Sequence, residues 1–140
     1  MSKEVNFETA KLLKEKEFDE PCTYYYELEY AHLYPENTIH TWDPRFKTKF
    51  KNSYQWEKAA APTIADVVMW LYEKHGIWVY TKPVLDEDGE WIFKGYVKHL
   101  NDFKAKEYQT KLLKEPTGAY EAAITYTLKN LIQGGNNEQQ

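Results

Sequence analysis

The run Arg45-Phe46-Lys47-Thr48-Lys49-Phe50-Lys51, continued by Tyr54 and Trp56, interleaves cations with aromatic rings. Rings that stack on bases, set beside cations that neutralise a phosphate backbone, are what binding of single-stranded nucleic acid needs. The alternation also has a plainer reading. With Phe46 and Phe50 turned to a core, the lysines become the solvated face of an edge strand, where charge resists edge-to-edge pairing. Arg45, Lys47, Lys49, Lys51, Tyr54 and Trp56 are therefore candidate binding residues. Trp70 joins them, because it stands with Met69 and Glu73 off the apolar stripe of a central helix. A protein partner or a second copy of the chain would find a large ring there.

Catalytic chemistry has less to work with. Glu27 and Glu29 project from one side of a strand, and a pair of carboxyls is what a glycosidase needs, but any strand with alternate Glu satisfies that pattern. The histidines His32, His40, His75 and His99 are scattered, with no H-E-x-x-H, and a zinc site lacks a third ligand. His75 falls in the last turn of a helix, where the macrodipole favours its cation. Cys22 is the only cysteine and Ser2 and Ser53 the only serines. There is no G-x-S-x-G and no glycine-rich phosphate loop. Asp86, Glu87, Asp88 and Glu90 resemble a calcium loop in composition only, since Gly89 is out of register for an EF-hand. The expectation is a protein with no catalytic residues, no metal and no cofactor, with a hydrolase as a distant reading.

Composition agrees with a binding role. Five Trp, twelve Tyr and six Phe stand in 140 residues. Tyr and Trp bury apolar area while keeping one polar atom that needs a partner, so some of these rings belong at a boundary. The length suits one domain, expected over residues 1–133, with 134–140 as a disordered tail. A net charge of −4 gives no general attraction to nucleic acid or to an anionic membrane. Residues 15–36 are acidic, whereas residues 44–58 carry Arg45, Lys47, Lys49, Lys51 and Lys58 against Glu57 alone. Neither a signal peptide nor a membrane span is visible, and a single cysteine suits a reducing compartment, so a cytoplasmic location is expected.

These residues must be positioned by elements that the pattern partly reveals. Phe7, Ala10, Leu12 and Leu13 recur at helical spacing behind Asn6, a candidate N-cap, predicting a helix over residues 7–18. The alternation from Tyr24 to Tyr30 predicts a half-buried strand. Pro35, Glu36 and Asn37 then turn the chain into a second strand at Thr38–Trp42. Residues 45–51 read as a third strand, with Glu27 and Glu29 across from its lysines. Thr63 opens the clearest helix, with Ile64, Val67, Val68, Leu71 and His75 on one face and Gly76 as its stop. Ile77–Thr81 and Trp91–Val97 form a hairpin around the turn 86–89. Residues 101–114 satisfy neither period. A last helix starts near Pro116 and Thr117, carries Tyr120, Ile124, Leu128, Leu131 and Ile132 on one stripe, and stops at Gly134 and Gly135.

The helical segments Phe7 to Phe18, Ala61 to Trp78 and Ala119 to Ile132 resemble a family of small uncharacterised proteins encoded by phages and prophages of gut Bacteroides. The most specific stretch is Ala61-Pro62-Thr63-Ile64 through Leu71-Tyr72-Glu73-Lys74-His75-Gly76-Ile77. Two positions depart from the family pattern. Glu17 stands where Gly often closes the first helix, and Gly118 where an acid often follows Pro-Thr. The resemblance implies a mobile-element product that works by binding, and it assigns no residue a catalytic role.

The expected fold is α+β, an antiparallel sheet with about three helices packed on one face. The expected function is non-enzymatic protein binding or self-association, with single-stranded nucleic acid through residues 45–56 as the alternative. If Thr63 caps the central helix, Thr63→Ala costs about 1 kcal/mol. Thermal denaturation reads that loss, and an unchanged melting curve would refute the cap.

Overall fold

The structure, a computed structural model, describes residues 3–28 and 38–133. It is α+β, with three helices and two three-stranded antiparallel sheets. The antiparallel strands are thus shared between two sheets where the sequence pattern suggested one, and the chain forms two compact units, Glu4–Thr63 and Ile64–Leu131. Expectations for Glu29, Tyr30, His32, the turn at Pro35, Glu36 and Asn37, the Gly134–Gly135 stop and the tail 134–140 lie outside the described residues.

In the first unit, α1 spans Phe7–Glu15, β1 Tyr24–Glu27, β2 Ile39–Thr41 and β3 Lys58–Ala60. Asn6 caps α1 as its sequence position suggests, its Oδ1 accepting the Thr9 N–H at 2.9 Å. Phe7, Thr9, Ala10 and Leu13 form the buried stripe, and α1 packs against β3. The sheet order is β2-β1-β3. Tyr26 faces the core, its ring edge-on to Phe7 at 5.5 Å and its hydroxyl donating to the Val5 carbonyl at 2.7 Å. The polar handle of a buried Tyr is thereby satisfied.

One strand is not where alternation predicts it. Residues 45–51 form bends and turns, with only Phe50 in a bridge, to Cys22, and the third strand is Lys58–Ala60. The physical reason lies just upstream. Asp43 folds back on Arg45, accepting its backbone N–H at 2.9 Å and gripping its guanidinium at 2.7 Å. The Trp42 indole N–H meanwhile donates to the Thr48 carbonyl at 3.1 Å. The loop is closed on itself before a ladder can form.

The second unit begins with α2, Ile64–His75, directly after Thr63 as expected, and its predicted face of Ile64, Val67, Val68 and Leu71 is buried. Gly76 stops it at φ +65°, and an added Cβ there would collide with the Asn101 side chain. The strands β4, Ile77–Leu85, and β5, Trp91–His99, are longer than their patterns suggested, and β6, Tyr108–Leu113, occupies the segment of ambiguous period. Pro83 is tolerated because β4 is an edge in the order β4-β5-β6. The last helix, α3, spans Pro116–Asn130, with Pro116 in its first turn, and ends short of the predicted Gly134 stop.

Both α2 and α3 pack against this sheet and against each other. Gly95 makes the α3 contact close, since a Cβ there would sit 2.5 Å from the Ala119 carbonyl oxygen. Ile77, Val79, Val97 and Thr110 fill the helix side, and Tyr108 stacks on Tyr126 of α3 at 3.6 Å.

Glu17 is the one non-glycine among the described residues with positive φ, +67°. Its N–H donates to the Lys14 carbonyl at 3.1 Å and that of Phe18 to the Leu13 carbonyl at 2.9 Å, the paired bonds of a Schellman closure. Phe18 and Leu13 are fully buried, so packing holds the strained residue in place. A left-handed conformation costs a non-glycine roughly 1–2 kcal/mol, more than the ~0.5–1 kcal/mol of chain entropy that Gly forfeits. Glu17→Gly is therefore expected to stabilise the protein by about 0.5–1 kcal/mol, measured as a higher denaturation midpoint with unchanged slope.

Candidate binding surfaces

The segment from Trp42 to Trp56 is a loop wrapped on its own rings. Trp42 lies 4.9 Å from Phe46 and 5.0 Å from Phe50, and Phe50 meets Tyr54 edge-on at 6.1 Å. Phe50 is fully buried, but Phe46 is 56% exposed, so the expected inward pair is split. The Arg45 guanidinium is occupied by Asp43, whose carboxyl it holds below its usual range. Lys47, Lys49 and Lys51 make no ion pair among the described residues, Tyr54 is exposed, and Trp56 is 71% exposed. The candidate residues of this segment thus share one loop, with Arg45 already spoken for.

Trp70 requires a correction. It is 6% exposed, its ring 4.8 Å from His75, because α2 has both the sheet and α3 to cover it. Asp66, Met69, Tyr72, Glu73 and Lys74 are the exposed residues of that helix.

The expected cross-strand charge pair forms, with a different partner. Glu27 lies opposite Lys58 and bonds it at 3.4 Å, the two side chains 13% and 16% exposed. Lys58 also sits over the Tyr25 ring at 5.3 Å, and Tyr25 stacks on His40 at 5.4 Å. Glu27 Oε1 has no hydrogen-bond partner, while the second carboxylate of the hydrolase reading, Glu29, lies outside the described residues. Cys22 is buried, and its thiol contacts the Glu20 carbonyl at 3.5 Å.

A groove of about 430 Å³ is lined by Lys14, Glu17, Phe18, Asp19, Asn52 and Ser53. Its polar groups already serve the backbone. Lys14 Nζ donates to the Asn52 and Gln55 carbonyls, each at 3.0 Å, and burial lowers its pKa against the raising effect of Asp19 and Glu57. Asn52 joins the Phe18 carbonyl to the Ala60 N–H at 2.8 and 2.7 Å, and Asp19 accepts from the Ser53 N–H at 2.7 Å. Such a set braces loops. No group of three or more His, Cys, Asp or Glu is placed to hold a metal ion among the described residues, and no helix there is long and apolar enough to cross a membrane.

Sequence reasoning missed two exposed features of the second unit. The first is the end of the β4–β5 hairpin, where Leu85 pairs with Trp91 while 55% and 60% exposed. Its turn is set by Asp86, whose Oδ1 accepts from the N–H groups of Asp88 and Glu90 at 2.9 and 2.8 Å. Glu87, Asp88 and Glu90 point to solvent. The second is the side of the sheet opposite the helices. Trp78 pairs with Lys98, Tyr80 with Tyr96 and Lys82 with Lys94. The two tyrosines stack at 5.0 Å, with Lys82 Nζ 5.0 Å from the Tyr96 ring. The Tyr80 hydroxyl donates to Glu107, and burial first, then that carboxylate, push the phenol up to about 12. The available signal was period two on both strands, Trp78-x-Tyr80-x-Lys82 against Lys94-x-Tyr96-x-Lys98, legible once the register is known.

Comparison with protein-family models, with curated proteins and with solved structures gives no match.

His75 also departs from its expected cationic role. Burial, and then the charge of Lys74, hold its pKa below 6.5, so desolvation outweighs the helix dipole. A folded state that prefers the neutral ring has that contribution in full above the unfolded pKa of about 6.5, and loses it as pH falls through the lower folded value. A proton NMR titration is expected to give a His75 midpoint below 6.5, and His75→Gln to reduce the drop in melting temperature between neutral and mildly acidic pH. A midpoint at or above 6.5 would contradict the burial argument.

Proposed function

We propose that the chain is a non-enzymatic interaction module that binds protein, and that its first partner is a second copy of itself. The observation that carries this reading is the Leu85–Trp91 pair, two large apolar side chains held exposed at the end of a nine-residue antiparallel ladder. A Trp presented on a rigid element, with little entropy left to lose, is a typical energetic centre of a protein interface.

Charge complementarity supports the choice of partner. The hairpin ends in the acids Glu87, Asp88 and Glu90, whereas the loop 42–56 offers Lys47, Lys49 and Lys51, without an ion pair among the described residues, beside exposed Phe46 and Trp56. The hairpin end of one copy and the loop of another match in sign and in apolar content. The resemblance of the helices to small phage-encoded proteins suits a cytoplasmic accessory factor that works in this way.

Sedimentation velocity over a concentration series tests the proposal. Association is expected to weaken with salt and to fall roughly tenfold or more in Trp91→Ser. Glu87→Lys with Asp88→Lys should abolish it, and mixing that variant with Lys47→Glu, Lys49→Glu should restore it. A wild-type chain that stays monomeric at every concentration in low salt would refute it.

A further inference from the structure

We infer that the open face of β4-β5-β6 is a binding platform for single-stranded nucleic acid, a surface separate from the hairpin end and from the basic loop. It begins from an anomaly of charge. Lys82 and Lys94 lie directly opposite each other in the ladder, an arrangement that repels and that sheets ordinarily avoid. Lys98 stands on the same face, two rungs on from Tyr96. None of the three makes an ion pair among the described residues. Glu107 accepts from the Tyr80 hydroxyl and forms no ion pair with any of the three. Three ammonium groups without an ion-pair partner among the described residues, set in a strip, favour an anionic ligand that runs along the strands.

Aromatic rings between those cations narrow the ligand class. Trp78 is 36% exposed, with Tyr72 of α2 meeting its ring edge-on at 5.7 Å on one side, and the Tyr80–Tyr96 stack lies between the Trp78–Lys98 row and the Lys82–Lys94 row. Successive rows on one face of a strand are about 6.7 Å apart. Along β5 the order is therefore cation, ring, cation (Lys98, Tyr96, Lys94), with the rings of Trp78 and Tyr80 beside it on β4. An isolated phosphate would use the lysines and ignore the rings, whereas unpaired bases have faces to stack on Trp78 and on the outer edge of the tyrosine pair. A duplex hides those faces. Exposed Gln109 on β6, opposite Tyr96, adds an amide that can meet a base edge.

The test is fluorescence anisotropy of the full chain with a labelled oligothymidylate of about twenty nucleotides, over a salt series. Three neutralised phosphates predict a log–log slope near −2 for a single strand. Lys82→Gln with Lys94→Gln should weaken binding about tenfold or more at low salt, while leaving the melting temperature equal or higher because a repulsion has been removed. Trp78→Ala should weaken it roughly 5- to 100-fold, with the salt slope retained. Unlabelled single strands should compete far better than the same sequence as duplex or than polyphosphate. Absence of binding at low salt, equal competition by polyphosphate, or full affinity in both variants would each overturn the inference.

Discussion

The antiparallel register of β4 with β5, unbroken from Ile77 opposite His99 to Leu85 opposite Trp91, is the constraint on which the second unit depends. Side chains alternate across a sheet, so a shift of one residue would exchange its two faces entirely. In the observed register Ile77, Val79 and Val97 meet the helices, and Gly95 falls where α3 comes closest. The same choice sends Trp78, Tyr80, Tyr96, Lys82, Lys94 and Lys98 outward together. Core and candidate surface are thus one decision made by the ladder. The turn reinforces it, because Asp86 binds the backbone of Asp88 and Glu90 and leaves little freedom for a slip.

The aromatic residues divide between two kinds of work. Phe18, Phe50, Tyr26 and Trp70 are interior, and where they carry a polar atom it can be accounted for, as with the Tyr26 hydroxyl on the Val5 carbonyl. Trp56, Trp91 and Phe103 are exposed, with no interior role of comparable size. Rings that stay wet on rigid elements cost solubility and are most simply understood as contact surface. The polar groups around the groove of Lys14, Asp19 and Asn52 follow the opposite logic. They bond backbone carbonyls and N–H groups, so they brace a loop.

Much of this was legible before any coordinates. Asn6 and the apolar spacing behind it mark α1, and Gly76 ends α2, because caps and stops are local chemistry. The antiparallel pairing of β1 with β2 follows from alternation, and the β4–β5 hairpin from alternation and its turn residues. What failed was decided by distant or competing contacts. Alternation from Arg45 to Lys51 reads as a strand, yet the grip of Asp43 on Arg45 and the packing of Trp42 win locally. Three residues suffice for β3, too few to carry a period, and β6 hides its pattern because Gln109, Lys111 and Leu112 are exposed while a register shift interrupts the ladder. Trp70 stands off the apolar stripe of α2, and its burial depends on α3, an element distant in sequence that the stripe does not reveal. The candidate surfaces on β4 and β5 escaped notice since they exist only as cross-strand pairs, which no linear spacing displays.

The most direct check is solution NMR of cross-strand proton contacts in the β4–β5 hairpin. The account predicts contacts that pair Trp78 with Lys98, Tyr80 with Tyr96, Lys82 with Lys94 and Leu85 with Trp91. A ladder displaced by one residue, placing Tyr80 opposite Val97 or Gly95, would put Lys94, Tyr96 and Lys98 on the face away from Trp78, Tyr80 and Lys82 and contradict it.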